Sequence, residues 1–235
     1  MIKAVLFDLD GTLIEMDQDA FLKSYFQRLT AYFAAEGYDP AAFSQALMYA
    51  VKVMLANDGA MKNDELFWKA IASKLGQRVL DDYPKFEAFY EQAFDALKPL
   101  CGTREGASDV LSYLRARKIP LVLASQPAFP FIAYEKRMGW GGITVEPFEW
   151  ITTYDESRFC KPCGGYYLDI ATRLGLRPEE CLMVGNDVSD DMSARHVGMQ
   201  VFLLTDYLLN PKNEDYTALP HGNVSDLLAF LEQAL

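Results

Sequence analysis

The chain has 235 residues, 51% of them hydrophobic, which is enough to bury an extensive core as one large domain or as a core with an accessory domain. Its 22 Lys and Arg against 33 Asp and Glu give a formal net charge of -11, which repels polyanions and argues against nucleic acid as a general partner. No apolar run approaches the roughly 18 residues that span a bilayer, and no signal segment precedes the first strand-like run, so a soluble, cytoplasmic protein with no membrane partner is expected.

The first predicted element is a short buried strand over residues 5–7, followed by Asp8-Leu9-Asp10-Gly11-Thr12. Two carboxylates one residue apart at the end of an apolar run disfavour each other's ionisation unless a cation sits between them. The stretch therefore asks for a metal ion, a phosphate site or both. Gly11 lets the chain turn sharply away, and Thr12 is expected to fix that turn by hydrogen bonding to backbone.

Residues 15–98 then change character. Phe21, Leu22, Tyr25, Phe26, Leu29, Tyr32 and Phe33 recur at helical spacing, and residues 41–55, 63–74 and 84–97 also read as helices. Turns at 37–40 and 81–84 separate them, and Pro99 closes an insert expected to be all-helical. Its aromatic stripe reads as the insert's own packing rather than as a ligand box.

Past the insert, helical patterns over 108–118 and 166–174, the second stopped by Gly175, alternate with buried strands over 119–124, 181–184 and 201–204 and a weaker one over 150–153. Such alternation predicts a parallel sheet covered on both faces. The expected fold class is thus α/β: a Rossmann-like core of residues 1–14 and 99–235, with residues 15–98 as an inserted helical cap. Ligands of such sheets bind beyond the carboxyl ends of the strands. Asp8, Ser125 and Asn186-Asp187 each follow a strand, so chain order alone brings them to one rim. Cys160-Lys-Pro-Cys163 has C-x-x-C spacing, but beside it stand only Cys101, Cys181, His196 and His221. With no second C-x-x-C pair, the thiols read as small, partly buried side chains.

The polar residues of this rim are of the types that could divide the labour of phosphoryl transfer. If one acid attacks phosphorus, a second acid two residues on can protonate the leaving oxygen and later activate water. Ser125 offers a hydroxyl and a backbone N–H to a phosphoryl oxygen, and Lys161 is a point charge for both the phosphate and the attacking carboxylate. Asp187, Asp190 and Asp191 supply hard oxygens for Mg2+, which binds through a few carboxylates plus substrate phosphate.

Taken together, "DLDGT" (8–12), the serine of "LVLASQ" (Ser125), "KP" (161–162) and "VGNDVSDDM" (184–192) resemble the four motifs of the haloacid dehalogenase superfamily. The resemblance is to its phosphatase branch, with a C1-type helical cap inserted after the first motif. It implies an enzyme, a phosphoric monoester hydrolase that acts on a small phosphorylated metabolite. Asp8 would be the nucleophile that forms an aspartyl-phosphate, and Asp10 the general acid and base. Ser125 and Lys161 would hold phosphate, and Mg2+ would be held by Asp8, the Asp10 carbonyl and acids of the fourth motif.

Two positions depart from the pattern: Asn186 stands where many relatives have Asp, and Gln126 where Asn is common. Aligned from Gly185, the fourth motif puts neutral Asn186 at the ligand place; aligned from Met192, it reads Asp187, Asp190 and Asp191 as the acidic run. Electrostatics favours Asp187 with Asp191, because a hard cation gains more from a carboxylate than from an amide. A phosphomutase using the same acids stays open. So does a phospho-accepting or metal-binding regulatory protein with little turnover, which Asn186 keeps in play.

Overall fold

The computed structural model describes all 235 residues. The chain opens with β1 (Ala4–Phe7), fully buried, and turns at once into β2 (Ile14–Met16). Three long helices follow, α1 (Gln18–Ala35), α2 (Pro40–Leu55) and α3 (Asn63–Leu75), then two short ones, α4 (Arg78–Asp81) and α5 (Tyr83–Ala88), before β3 (Cys101–Thr103). The remainder runs α6 (Ala107–Ala116), β4 (Leu121–Leu123), α7 (Phe131–Trp140), β5 (Trp150–Ile151), α8 (Gly164–Arg173), β6 (Cys181–Gly185), β7 (Gln200–Leu204), β8 (His221–Gly222) and α9 (Val224–Ala234). No helix is long and apolar enough to cross a membrane.

Six strands form one parallel sheet in the order β5-β4-β1-β6-β7-β8, so the expected α/β class holds. Parallel strands need crossovers, and the crossovers cover both faces. Val5 and Phe7 of β1 point into the larger apolar cluster, shared with the insert's aromatic residues, while Ala4 and Leu6 join a smaller one with Tyr166, Tyr167 and Ile170 of α8. Because β1 lies between β4 and β6, the loops after these three strands share the crevice beyond their carboxyl ends.

The insert is helical over most of its length but not at its ends. β2 and β3 pair antiparallel, with Ile14 opposite Thr103 and Met16 opposite Cys101, so the chain enters and leaves the insert through a two-stranded ribbon. Strands of three residues are too short for an alternation to be read in the sequence. The helix expected over 84–97 is also broken. α5 ends at Ala88, a π-helical turn spans Phe89–Ala93, and a 3-10 stretch spans Phe94–Leu100 with Pro99 inside it. Pro99 has no N–H to donate, which ends regular helix there, and the π turn holds Phe89 and Tyr90 in the interior.

α1 begins where Asp17 caps the Ala20 N–H, and it buries Phe21, Tyr25, Leu29 and Phe33 at four-residue spacing. α2 is capped by Asp39 with Pro40 in its first turn. The tip between α2 and α3 is latched to the core by Asn63, whose side chain is wholly buried. The Asn63 amide donates to the carbonyls of Pro127 and Phe159 and to Cys160 Sγ, each at 3.3 Å, and its oxygen accepts from Asn57 Nδ2 at 2.8 Å. All four cysteines are free thiols, and in the C-x-x-C pair Cys160 is buried while Cys163 is exposed.

Candidate active site

Each rim residue owes its place to a strand that ends just before it. β1 stops at Phe7 and delivers Asp8, which is 9% exposed; β4 stops at Leu123 and delivers Ser125; β6 stops at Gly185 and delivers Asn186 and Asp187. These residues, with Asp10, Gln126, Lys161, Asp190 and Asp191, line one small polar cavity of about 40 Å3. The sequence-predicted set is therefore brought together in space.

Lys161 is at its centre. Its Nζ donates to Asp8 Oδ1 at 3.0 Å and to Asp191 Oδ1 at 2.5 Å, and all three side chains are buried. Burial works against the lysine's charge, yet the Asp191 and Asp8 carboxylates win and hold the ammonium well above its ordinary range. The other oxygen of Asp191 accepts the Asp187 N–H at 3.0 Å. With both oxygens engaged, Asp191 acts here as an anchor for Lys161 and for the loop. The carboxylate fits because Gly185 has no side chain: a Cβ there would sit 2.1 Å from Asp191 Oδ2.

Gln126 serves the same loop. Its Oε1 accepts the Lys161 N–H at 3.0 Å and its Nε2 donates back to the Lys161 carbonyl at 3.2 Å. The Ser125 carbonyl is tied down by Tyr166 Oη at 2.7 Å and Thr152 Oγ1 at 3.0 Å, which fixes the end of β4.

Asn186 is used by the fold. Its Oδ1 accepts from Thr12 Oγ1 at 3.2 Å and its Nδ2 donates to the Tyr207 carbonyl at 2.6 Å. Thr12 thus fixes the first turn through the Asn186 side chain and not through backbone as expected, a pairing across 174 residues. Gly11 is needed twice over: its φ is +78°, and a Cβ would come 2.4 Å from Asn186 Nδ2. Asp187 is half-buried; its Oδ1 accepts the N–H groups of Ser189 and Asp190, each at 2.7 Å, which leaves its other oxygen uncommitted.

One functional residue escaped the sequence reading. Arg137, on α7 and 1% exposed, is ion-paired through Nη1 with Asp10 Oδ2. The rings of Phe21, Phe129 and Tyr134 surround its guanidinium, with centroids 4.8 to 5.6 Å away. Asp10 Oδ1 and Arg137 Nη2 are buried without partners. Burial pushes the Asp10 carboxyl above its ordinary range, with Arg137 pulling the other way and Asp8 adding to the rise. A carboxyl so placed can hold a proton on Oδ1 while Oδ2 stays pinned.

The donor set suits Mg2+. No three acidic, histidine or cysteine side chains converge as a cage, whereas Mg2+ takes one or two carboxylates and completes its octahedron with carbonyl, water and phosphate oxygens. Asp8, the Asp10 carbonyl and the uncommitted oxygen of Asp187 are the groups suited to hold it.

Against the same rim lies a larger cavity of about 340 Å3, under the insert, with 16 hydrophobic residues among its 22 lining residues. The α1 stripe was expected only to pack the insert. It does so with Phe33, but Phe21, Leu22, Tyr25, Phe26 and Leu29 also form this cavity's wall.

The haloacid dehalogenase-like hydrolase family model matches residues 2–198. Phosphoglycolate phosphatase 1 of Pseudomonas aeruginosa is 26% identical over 99% of this chain and 80% of its own length. A probable pseudouridine-5'-phosphatase of Saccharomyces cerevisiae is 26% identical over 99% of this chain and 94% of its own. Among solved structures, CbbY from Rhodobacter sphaeroides in complex with phosphate superposes with a TM-score of 0.60 at 19% identity, covering 99% of this chain and all of the other.

Proposed function

The chain belongs to the haloacid dehalogenase-like hydrolases, and from that premise we propose that it is a Mg2+-dependent phosphatase that hydrolyses a phosphorylated small molecule through an aspartyl-phosphate. The observation that carries the reading is the ion pair of Lys161 Nζ with Asp8 Oδ1, 3.0 Å, beside an Asp10 carboxyl whose Oδ1 is buried and free.

Asp8 Oδ1 is held by Lys161, so the other carboxylate oxygen attacks phosphorus. A bond from Asp8 to phosphorus forms as the ester P–O bond breaks, and Asp10 gives its Oδ1 proton to the departing alkoxide. Asp10, now ionised and still held by Arg137, takes a proton from water as that water attacks phosphorus. The Asp8–phosphorus bond breaks, and inorganic phosphate leaves with Asp8 a carboxylate and Asp10 a protonated carboxyl, as at the start. Ser125 and Lys161 bind the phosphoryl oxygens, and Lys161 offsets charge that would otherwise repel the dianion from Asp8. A bound Mg2+ would supply further charge neutralisation at phosphate. The insert, as a cap of residues 15–98, would exclude water during attack and admit it for the second step. In its favour, Gln18 and Phe21 of α1 share a cavity wall with Asp10.

The test is hydrolysis of p-nitrophenyl phosphate with and without Mg2+. Turnover that appears with the metal and disappears with EDTA is expected. Stable phosphorylation of Asp8 without turnover on any of a panel of phosphate esters would favour a regulatory phospho-acceptor instead.

A further inference from the structure

The chemistry of the leaving alcohol is written in the large cavity under the insert. It adjoins the catalytic rim, because Asp10, Gln18, Ser125, Gln126 and Asp190 line both it and the small polar cavity. An ester whose phosphorus sits at Asp8 must put its alcohol there, past the proton on Asp10.

The wall is mostly apolar, with 16 hydrophobic residues among its 22. Arg137 is the only cation on it, paired through Nη1 with Asp10 and with its Nη2 buried and unpartnered. The hydroxyls of Tyr25 and Tyr90 bond to each other at 2.7 Å. Phe26, Val51 and Leu55 belong both to the cavity and to a second apolar groove of about 380 Å3 along α2 that also includes Met48, which is 61% exposed.

We propose that the ester carries an apolar alcohol, which lies past Asp10 in this cavity against Phe21, Tyr25 and Leu29 of α1 and Val51 of α2. This rests on the phosphatase reading above. Glycolate, short and polar, would leave most of this apolar wall uncovered, whatever the 26% identical relative acts on.

The test is a series of n-alkyl phosphates from ethyl to octyl, kept below aggregating concentrations, whose alcohols have nearly equal leaving-group acidity. Each added methylene buried in the cavity is expected to raise kcat/KM by about fourfold until the chain fills it. 2-Phosphoglycolate and glycerol 3-phosphate are expected to fall below butyl phosphate. Val51→Trp, which takes up part of the cavity, is expected to collapse the ratio of octyl to butyl kcat/KM. Binding of the matching alkylphosphonates, which cannot be hydrolysed, separates the two readings. If their affinity climbs with chain length but no ester turns over, the apolar site stands and the phosphatase reading falls. If turnover occurs while kcat/KM and phosphonate affinity stay flat with length, or if 2-phosphoglycolate is the best ester, the proposal is overturned and the cavity is only loose packing inside the insert.

Discussion

At the scale of single residues, the site separates into groups that react and groups that hold them. Asp8→Asn is expected to abolish turnover, since an amide is a poor nucleophile; activity above a few per cent of wild type in a steady-state assay would sink the covalent route. Asp10→Asn should cost roughly 100-fold to 10,000-fold in kcat with KM little changed. Arg137 belongs to the second group. Arg137→Met keeps the volume but leaves Asp10 unpaired, and breaking a buried pair costs about 3 kcal/mol or more. That loss carries a pH sign. Burial already raises the Asp10 pKa, so the folded state resists its ionisation, and without the guanidinium it resists more. The stability deficit of the variant should therefore be small in acid, where Asp10 is protonated, and grow toward neutral pH; denaturant titrations at two pH values measure it. The fourth motif makes a further distinction. Asn186 is bonded to Thr12 and Tyr207, whereas Asp187 keeps an oxygen free. Asp187→Ala should raise the Mg2+ concentration needed for half-maximal activity well beyond what Asn186→Ala does, and the reverse order would move the ligand to Asn186.

At the scale of elements, two of the insert's attachments to the core differ in character. The β2–β3 ribbon is a short backbone link, while the Asn63 latch at the start of α3 is a cluster of buried polar bonds. Asn63→Ala leaves the Pro127 and Phe159 carbonyls and the Asn57 amide without that partner, and unsatisfied buried groups cost about 1–3 kcal/mol in total stability. A fall in denaturation midpoint of that size is the expected outcome, with α2 and α3 exchanging amide hydrogens faster than the sheet does. The α1 pattern was legible as a helix from its spacing alone, but the same spacing serves packing and cavity lining equally. Which of the two a given ring does depends on what faces it across the insert, and that is set by residues such as Phe67, Phe86 and Phe129 far along the chain.

At the scale of the whole molecule, the net charge of -11 would oppose the approach of the dianionic ester proposed as substrate. Raising salt from about 20 to 200 mM should screen that repulsion and increase kcat/KM by about twofold, where a positively steered enzyme would lose rate. The sequence by itself determined the alternation that makes a parallel sheet and the set of polar residues at strand ends. Both are local: a strand's apolar run and the residue after it are neighbours in the chain, and the topology of a parallel sheet sends all such ends to one rim. Only the tertiary structure decided that Arg137 pairs with Asp10 across 127 positions, because a lone arginine within a helical pattern reads like any solvent-facing charge. It likewise decided that Thr12 meets Asn186 and that the aromatic stripe encloses space as well as filling it. These facts depend on which surfaces the fold brings face to face. Hydrophobic burial drives that approach without direction, and short-range periodicity carries no record of it.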